Sequence, residues 1–259
     1  MGCDLPGAGW LVGRGVWLGA GDLQTCLGLH VAVQSCECFS LFSIAAGFLL
    51  PWRAVEPFGV AAVASAALSG GVAGSWLYIS AVKVGGASVG NTSSSLYIVL
   101  LPLFAWKIHL VPAAALVLLG LAVASWGDEG SRRGALYGVM AAFVWAVSIN
   151  FYAAAVESLG PGGALFMRGA VVFLASLPLS RGAPICKIRR LLAGGFMDTF
   201  VGFVSYALAV SLGDYVVVTL VMSTYPLITA LTERPLRWRR ALGALLAVAG
   251  LAAATRLNM

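Results

Sequence analysis

A cluster of polar side chains lies inside an apolar stretch of the sequence, between Gly74 and Tyr97. Asn91, Ser94 and Ser95 are three and four residues apart, so a helix would place them on one side. Grouped hydroxyl and amide groups could hydrogen-bond a polar solute, and Tyr97 is a further candidate at the end of the cluster. Serine hydroxyls can also bond back to carbonyls of their own helix and allow close helix packing. The sequence leaves both interpretations open.

The same frame of residues recurs 128 positions later, from Gly202 onward. Seven residues are identical at this offset: Gly74, Tyr78, Ala81, Val82, Gly85, Ser95 and Tyr97 correspond to Gly202, Tyr206, Ala209, Val210, Gly213, Ser223 and Tyr225. Two of the matched pairs are tyrosines, which a bias toward small residues does not explain. We therefore predict an internal duplication. Its polar members are candidates to line a shared solute cavity: Tyr78, Tyr97, Tyr206, Ser223 and Tyr225. Tyrosines near span ends could instead form an interfacial belt.

Two further candidates lie in the second half of the chain. Trp145 could stack on a planar substrate, or it could anchor its helix at the level of the lipid headgroups. Asn150 is polar in the middle of an apolar run, so in a membrane it requires a hydrogen-bonding partner. That partner could be a solute or another helix.

Two charged residues lie several positions inside apolar runs. Arg168 offers a planar fork of donors for a carboxylate or phosphate, although its long side chain could also reach the membrane surface. Asp198 is a candidate proton-coupling carboxylate, and the alternative is a helix-end carboxylate wetted by headgroups. Burying a charge costs free energy unless the charge is paired or hydrated, so both residues are candidates for a functional role.

Signatures of catalytic and metal sites are missing from the sequence. It has no HExxH or GxSxG motif and no glycine-rich phosphate loop with a lysine. The five cysteines form no CxxC pair, and His30 and His109 are the two histidines. We therefore predict no catalytic residue, no metal site and no cofactor, and we do not expect an enzyme.

The elements that must position these residues are membrane helices. Hydrophobic residues make up 60% of the 259 residues, 10% are charged and the mean hydropathy is +0.94, values unusual for a water-soluble chain. A helix crosses the ~30 Å hydrocarbon core with ~20 apolar residues. The apolar runs are far longer than barrel strands of ~10 residues. The sequence predicts an all-α, polytopic integral membrane protein.

Apolar windows between proline, glycine and charge clusters predict the transmembrane spans. Nine spans are regular: Cys36–Trp52, Phe58–Val82, Ala87–Trp106, Val111–Trp126, Gly134–Ala155, Gly162–Leu179, Leu191–Leu212, Tyr215–Leu231 and Ala241–Thr255. A further segment, Trp10–Val33, carries Arg14, Asp22, Gln24 and His30 and would insert only with help from neighbouring helices. The prediction is ten spans, or nine without this segment.

A polar loop, Gly127–Ser131, divides the chain into near-equal halves, residues 1–130 and 131–259. With five spans each, the second half would enter the membrane from the opposite side, which makes an inverted repeat. Eleven basic residues fall in loops on one predicted side and three on the other, so we expect the eleven in the cytoplasm and both termini outside. Basic residues in loops at the cytoplasmic face also account for the net charge of +6, and we expect no nucleic-acid partner.

Several stretches resemble the ten-helix EamA-type permeases of the drug/metabolite transporter superfamily. They are Tyr225–Thr255 for the ninth and tenth helices, Gly134–Val156 for the sixth and Ala164–Leu179 for the seventh. Trp145 and Arg168 match residues typical of the sixth and seventh helices of that family. The first half departs from the pattern, because Lys107 and His109 stand where the family has a glutamate.

This resemblance implies a secondary permease of the plasma membrane. It would move a small polar or amphipathic metabolite, such as an amino acid or a related compound, by alternating access of its two halves. Its partners would be the solute and the membrane lipids, and both a monomer and a homodimer remain open.

Two other function classes stay open at this point. Basic cytoplasmic loops could hold the phosphate groups of lipid-linked substrates for an intramembrane enzyme. The polar residues of the first predicted span would also suit a membrane scaffold that does not transport.

Overall fold

The computed structural model describes residues 39–124, 131–180, 192–193, 195–224 and 238–258, and every regular element within these ranges is helical. In chain order the elements are α1 (residues 39–47), α2 (Pro57–Ala66), a first π segment (Ala67–Gly74), α3 (Ser75–Ser94), α4 (Tyr97–Phe104), a 3-10 turn (Ile108–Leu110), α5 (Val111–Ala124), α6 (Arg132–Ser180), a second π segment (Met197–Phe203), α7 (Val204–Leu212), α8 (Tyr215–Met222) and α9 (Trp238–Leu257). The predicted all-α class is confirmed for this part of the chain.

Two glycines turn the chain sharply within α3 and α6. Gly86 has φ 84° and ψ 163°, and Gly160 has φ 76° and ψ 166°. Only glycine adopts this region of backbone conformation without strain. Each glycine separates two helical arms: residues 75–85 from 87–94, and residues 132–159 from 161–180. Each break falls between two of the predicted spans.

Glycines also mark where the first arm of α6 packs against residues 57–85. The contacts are Gly59 with Leu159, Gly70 with Ser148 and Gly85 with Gly134. Along these three pairs the residue numbers rise in the stretch 57–85 and fall in α6, so the two stretches are antiparallel. An added Cβ at Gly85 would lie 2.9 Å from the Gly134 Cα, so a larger residue does not fit there without a shift.

This antiparallel packing defines two ends of the helical bundle. At one end, the Arg53 end, the Arg53 N–H donates to the Leu159 carbonyl at 2.8 Å. Gly85 and Gly134 lie at the opposite end. After the break at Gly86, the chain runs back toward the Arg53 end through α4.

Two groups of buried side chains form the interior. One joins α4, α5, α8 and α9 through Ile98, Leu101, Val117, Leu220 and Ala247. The other joins α2, α6 and α7 through Val63, Ala66, Val156, Leu159 and Ala207. Both groups combine residues from before and after position 130. The two halves therefore interlock, and burial of their shared apolar surface stabilises the bundle.

The exterior of the helices is strongly apolar. Large side chains lie exposed on several helices and loops, including Phe48, Leu49, Trp106, Leu174 and Leu245. Two helices are long and apolar enough to cross a membrane, Pro57–Gly86 and Arg132–Pro178, and shorter apolar helices cover Val89–Phe104, Ile108–Val123, Thr199–Leu212 and Ala241–Leu257. Trp10–Val33 lies outside the described residues, so ten or nine spans stays a prediction.

The two halves share local irregularities at corresponding positions. The first π segment, shifted by the repeat offset of 128 residues, would cover residues 195–202, and the second π segment covers Met197–Phe203. Another irregularity is a break at Ser95 and Ser223, which are also 128 residues apart. At both serines the backbone N–H donates to the carbonyl four residues earlier, at 2.9 Å. The duplication itself stays a prediction.

Candidate functional site

Tyr78, Asn91 and Trp145 form a polar and aromatic group in the first half of the bundle. The Tyr78 hydroxyl donates to the Asn91 Oδ1 at 2.5 Å, across the break at Gly86. The Trp145 ring lies 5.3 Å from the Tyr78 ring and 5.9 Å from the Tyr97 ring, the latter edge-on. The structure therefore brings together four of the predicted site residues: Tyr78, Asn91, Tyr97 and Trp145.

The first π segment is held by donors from α6. The Trp145 Nε1–H donates to the Gly70 carbonyl at 3.1 Å, and the Ser148 hydroxyl donates to the Ala66 carbonyl at 2.9 Å. A π-helical turn displaces carbonyls from the regular α-helical ladder, and a buried carbonyl without a partner is costly. These two side chains satisfy such carbonyls, so α6 positions the π segment that leads into α3 and Tyr78.

A second group in the other half mirrors the first. The hydroxyls of Tyr206 and Thr219 share a hydrogen bond of 2.8 Å. Tyr206 and Thr219 lie 128 residues after Tyr78 and Asn91, so the two hydrogen bonds occupy corresponding positions in the repeat. Tyr152 stacks on Tyr206 with ring centroids 5.9 Å apart and planes at 14°. Thus α6 contributes one aromatic ring to each group, Trp145 to the first and Tyr152 to the second.

The predicted serines bond to their own helices. The hydroxyls of Ser94 and Ser95 donate to the Asn91 carbonyl at 3.1 and 2.7 Å, and that of Ser223 donates to the Leu220 carbonyl at 2.7 Å. All three side chains are buried. This geometry matches the packing interpretation, and the hydroxyl oxygens retain the capacity to accept a hydrogen bond.

Asn150 is the predicted polar residue in the middle of α6, and it has an interhelical partner. The Tyr215 hydroxyl donates to its Oδ1 at 2.7 Å, while its own Nδ2 donates to the Ala146 carbonyl at 2.7 Å. The amide thus joins α6 to α8 in the way that polar residues join membrane helices.

Arg168 lies between three elements. Its guanidinium carbon is 4.3 Å from the Phe203 ring centroid and 5.8 Å from the Tyr152 ring centroid. A Cβ added to Gly71 would lie 3.9 Å from its Nη2. Since Gly71 and Phe203 belong to the first and second π segments, the guanidinium lies where both halves meet α6.

A salt bridge joins the halves at the Arg53 end. The Lys107 ammonium pairs with the Asp214 carboxylate, and it lies 5.6 Å from the Tyr215 ring centroid. The Asp214 carboxylate also caps α8, because it accepts from the N–H groups of Val216 and Val217 at 2.9 and 3.4 Å. Partial burial lowers the pKa of the Lys107 ammonium, while the neighbouring carboxylate favours its charged form.

A cleft of about 570 Å³ opens at the same end of the bundle. It is lined by Arg53, Ala54, Glu56, Phe58, Ala154, Glu157 and Ser158. The Arg53 guanidinium donates to the Glu157 carbonyl at 2.5 Å, so the basic side chain is held across the cleft. This cleft is separate from the two tyrosine groups.

Sequence reasoning missed several residues of this arrangement, and two of the predicted ones lie outside the described side chains. Thr219 was detectable, because it occupies the position that corresponds to Asn91. Tyr152 was detectable as well, since it lies two helical turns after Trp145. Tyr225 and the side chain of Asp198 lie outside the described residues.

Comparisons with known proteins give a family match in the second half of the chain and a similar fold. Residues 132–256 match the model of the EamA-like transporter family. A crystal structure of a protein aligns with 92% of this chain and 91% of its own, with a TM-score of 0.70 and 20% sequence identity, a level at which the likeness concerns the fold alone. No protein with a curated description matches the sequence.

Proposed function

We propose that the chain is a permease for a small polar or amphipathic metabolite, of the EamA-like transporter family within the drug/metabolite transporter superfamily, whose model residues 132–256 match. As a member of that family the chain would be an integral membrane protein. Location in the plasma membrane, ten spans in two inverted halves and alternating access belong to the proposal. Amino acids and related compounds are the solute class it covers.

The observation that carries the proposal is the pair of matching tyrosine hydrogen bonds. Tyr78 with Asn91 and Tyr206 with Thr219 lie at corresponding positions of the two halves. The first arm of α6 contacts both groups, through Trp145 and Tyr152. Polar residues from two related halves around one shared helix are suited to present hydrogen-bonding groups to a solute from either side.

The salt bridge fits the alternating-access part of the proposal. Lys107 precedes the predicted division of the chain and Asp214 follows it, and the pair holds the halves together at the Arg53 end. In this conformation the salt bridge connects the two halves at that end. Opening it would require the two charges to separate, and water entering the gap would lower the cost of doing so.

Transport by purified protein in liposomes tests the proposal. A panel of labelled amino acids and monocarboxylates should show uptake of at least one solute without chemical change. Tyr78→Phe and Tyr97→Phe should each reduce that uptake several-fold with unchanged protein yield, because each removes one hydroxyl and keeps the ring. Tyr137→Phe, elsewhere on α6, is the matched control and should transport normally.

Other outcomes would point to the alternative functions. Covalent turnover of a lipid-linked substrate in the same liposomes would favour an intramembrane enzyme. The absence of both flux and turnover would favour a scaffold. Normal transport by both tyrosine variants would place these hydroxyls in helix packing alone.

A further inference from the structure

The guanidinium of Arg168 is held by aromatic faces and lacks an anionic partner in the described structure. Its guanidinium carbon lies 4.3 Å from the Phe203 ring centroid and 5.8 Å from the Tyr152 ring centroid, and a planar guanidinium has its N–H donors in its own plane. Among the residues that the structure describes, no carboxylate lies within salt-bridge distance of Arg168. Arg168 lies about 12 Å along its helical arm from Gly160, at ~1.5 Å per residue. A cation at such depth requires hydration or an anion.

A second unsatisfied donor lies beside it. Tyr152 is only 4% exposed. Its buried hydroxyl has no hydrogen-bond partner among the described residues. A buried hydroxyl without a partner destabilises the fold by the free energy of its lost hydration. The hydroxyl is carried by the same ring on which Arg168 lies. Two adjacent groups therefore offer donors, and both would be satisfied by an acceptor that entered between them.

The charge balance limits which acceptor fits. Arg168 is the cation at this place in the described structure, so a second negative charge on the ligand would stay uncompensated inside the membrane. Burying such a charge without a partner is costly. A carboxylate carries one charge and matches the guanidinium fork with its two oxygens, whereas a phosphate monoester carries up to two.

The remaining surroundings are apolar. Phe203, Val172 and the ring of Tyr206 lie next to Arg168 or Tyr152. Groups of this kind give the body of a ligand apolar contact and offer it few hydrogen bonds. The surroundings therefore favour a solute with an apolar or aromatic body.

Building on the proposed permease function, we infer that Arg168 and Tyr152 form a binding subsite for the carboxylate of a monoanionic solute with an apolar body. The guanidinium would bind the two carboxylate oxygens through its in-plane N–H groups, and the Tyr152 hydroxyl would donate to one of them. The subsite lies between the two π segments, where both halves contact α6.

Matched carboxylate and amide probes test this inference on the full-length protein in detergent. The probes are acetate with acetamide, phenylacetate with phenylacetamide, and indoleacetate with indoleacetamide. Each amide has nearly the shape of its carboxylate and lacks the charge. Binding is measured by calorimetry and by the rise in Tm, because a ligand selective for the folded state raises apparent stability. We expect phenylacetate and indoleacetate to bind at least ten-fold more tightly than their amides.

Variants assign that preference to the two side chains. Arg168→Gln should abolish the preference for the carboxylate, whereas Arg256→Gln removes a charge at the exposed end of α9 and should keep it. Tyr152→Phe should weaken carboxylate binding several-fold and leave the Tm of the ligand-free protein unchanged or higher, because the hydroxyl has no partner to lose. This variant keeps the test decisive even if Arg168→Gln folds poorly.

The outcomes separate the subsite from the permease. The subsite is overturned if no carboxylate binds better than its amide, or if Tyr152→Phe binds the carboxylates like the unmodified protein. Flux of a neutral or cationic solute that is unaffected by Arg168→Gln would overturn the subsite and leave the permease standing. Selective carboxylate binding without flux of any solute would leave the subsite standing and remove the permease.

Discussion

Two stacked tyrosines illustrate how differently the same side chain is used. Tyr206 shares a hydrogen bond with Thr219, whereas the Tyr152 hydroxyl stacked beside it has no partner among the described residues. Structural roles favour a satisfied hydroxyl, since an unsatisfied one destabilises the fold. An unsatisfied one persists where a ligand or water completes it. Tyr152 is therefore a functional candidate on physical grounds, although its position in the sequence resembles an ordinary apolar helix residue.

Paired substitutions measure this difference. Tyr206→Phe should lower the free energy of unfolding by about 1 kcal/mol, because one buried hydrogen bond is lost. Tyr152→Phe should change it by less than about 0.5 kcal/mol, since its hydroxyl forms no such bond in the described structure. Thermal unfolding or unfolding in mixed micelles gives the comparison. Equal losses in the two variants would mean that Tyr152 has a partner after all.

The candidate site was partly predictable from residue types. Polar residues in apolar runs pointed to Tyr78, Asn91, Trp145 and Arg168, and the structure places them around α6. Thr219 was missed because the comparison of the halves looked for identical residues, and threonine replaces asparagine there. The Lys107 salt bridge could not be predicted, because its partner is 107 positions away and neither residue forms a motif.

At the scale of elements, glycine decides where helices end and how closely they pack. Gly86 and Gly160 allow reversals that any other residue would strain. Elsewhere glycine provides room: a Cβ at Gly120 would lie 2.5 Å from the Gly243 carbonyl oxygen, so α5 and α9 touch through their backbones. Small residues at such contacts are the usual basis of helix association in lipid.

The break in α3 can be tested by one substitution. Gly86→Ala should lower the free energy of unfolding by about 1 to 3 kcal/mol, because alanine is strained at this backbone conformation. None of the described neighbouring atoms lies within 4 Å of an added Cβ, so the loss would report backbone strain without a clash. Gly213→Ala, where φ is −147° and the nearest atom is 3.5 Å away, is the matched control and should change little. An unchanged free energy of unfolding for Gly86→Ala would mean that residue 86 adopts a different backbone conformation.

Helix positions were more predictable than helix irregularities. The span predicted at Ala87–Trp106 contains the apolar helix Val89–Phe104, and the predicted end at Ala155 precedes the break at Gly160 by one turn. The π segments were not predictable from local sequence. They depend on donors from a distant helix, such as the Trp145 indole on the Gly70 carbonyl, and local propensity contains no information about such donors.

At the scale of the whole molecule, each buried core contains helices from both halves. Such interlocking leaves relative motion to the ends of the bundle, where polar contacts replace apolar packing. At the Arg53 end, beside the bond from the Arg53 guanidinium to the Glu157 carbonyl, the salt bridge of Lys107 and Asp214 is a contact of this kind. If alternating access operates, this contact breaks and forms again in every transport cycle.

Cross-linking tests that motion. On a background without the five native cysteines, Lys107→Cys combined with Asp214→Cys should be joined by a short, cleavable bis-thiol reagent. We expect the cross-link to stop solute flux in liposomes and a reductant to restore it, because the fastened end can no longer open. Each single variant treated with the same reagent serves as control. Full flux in the cross-linked protein would exclude opening at this end.

The two π segments also bear on how the chain evolved. Because the π segments occupy corresponding positions, the widening predates the joining of the halves if the chain arose by the proposed duplication. In an ancestor assembled from two identical copies, one gene would have encoded both turns, and each substitution would have acted twice. Fusion ended that coupling. Asn91 and Thr219 differ at corresponding positions, so a solute could be bound in one preferred orientation, which a strictly symmetric ancestor could not impose.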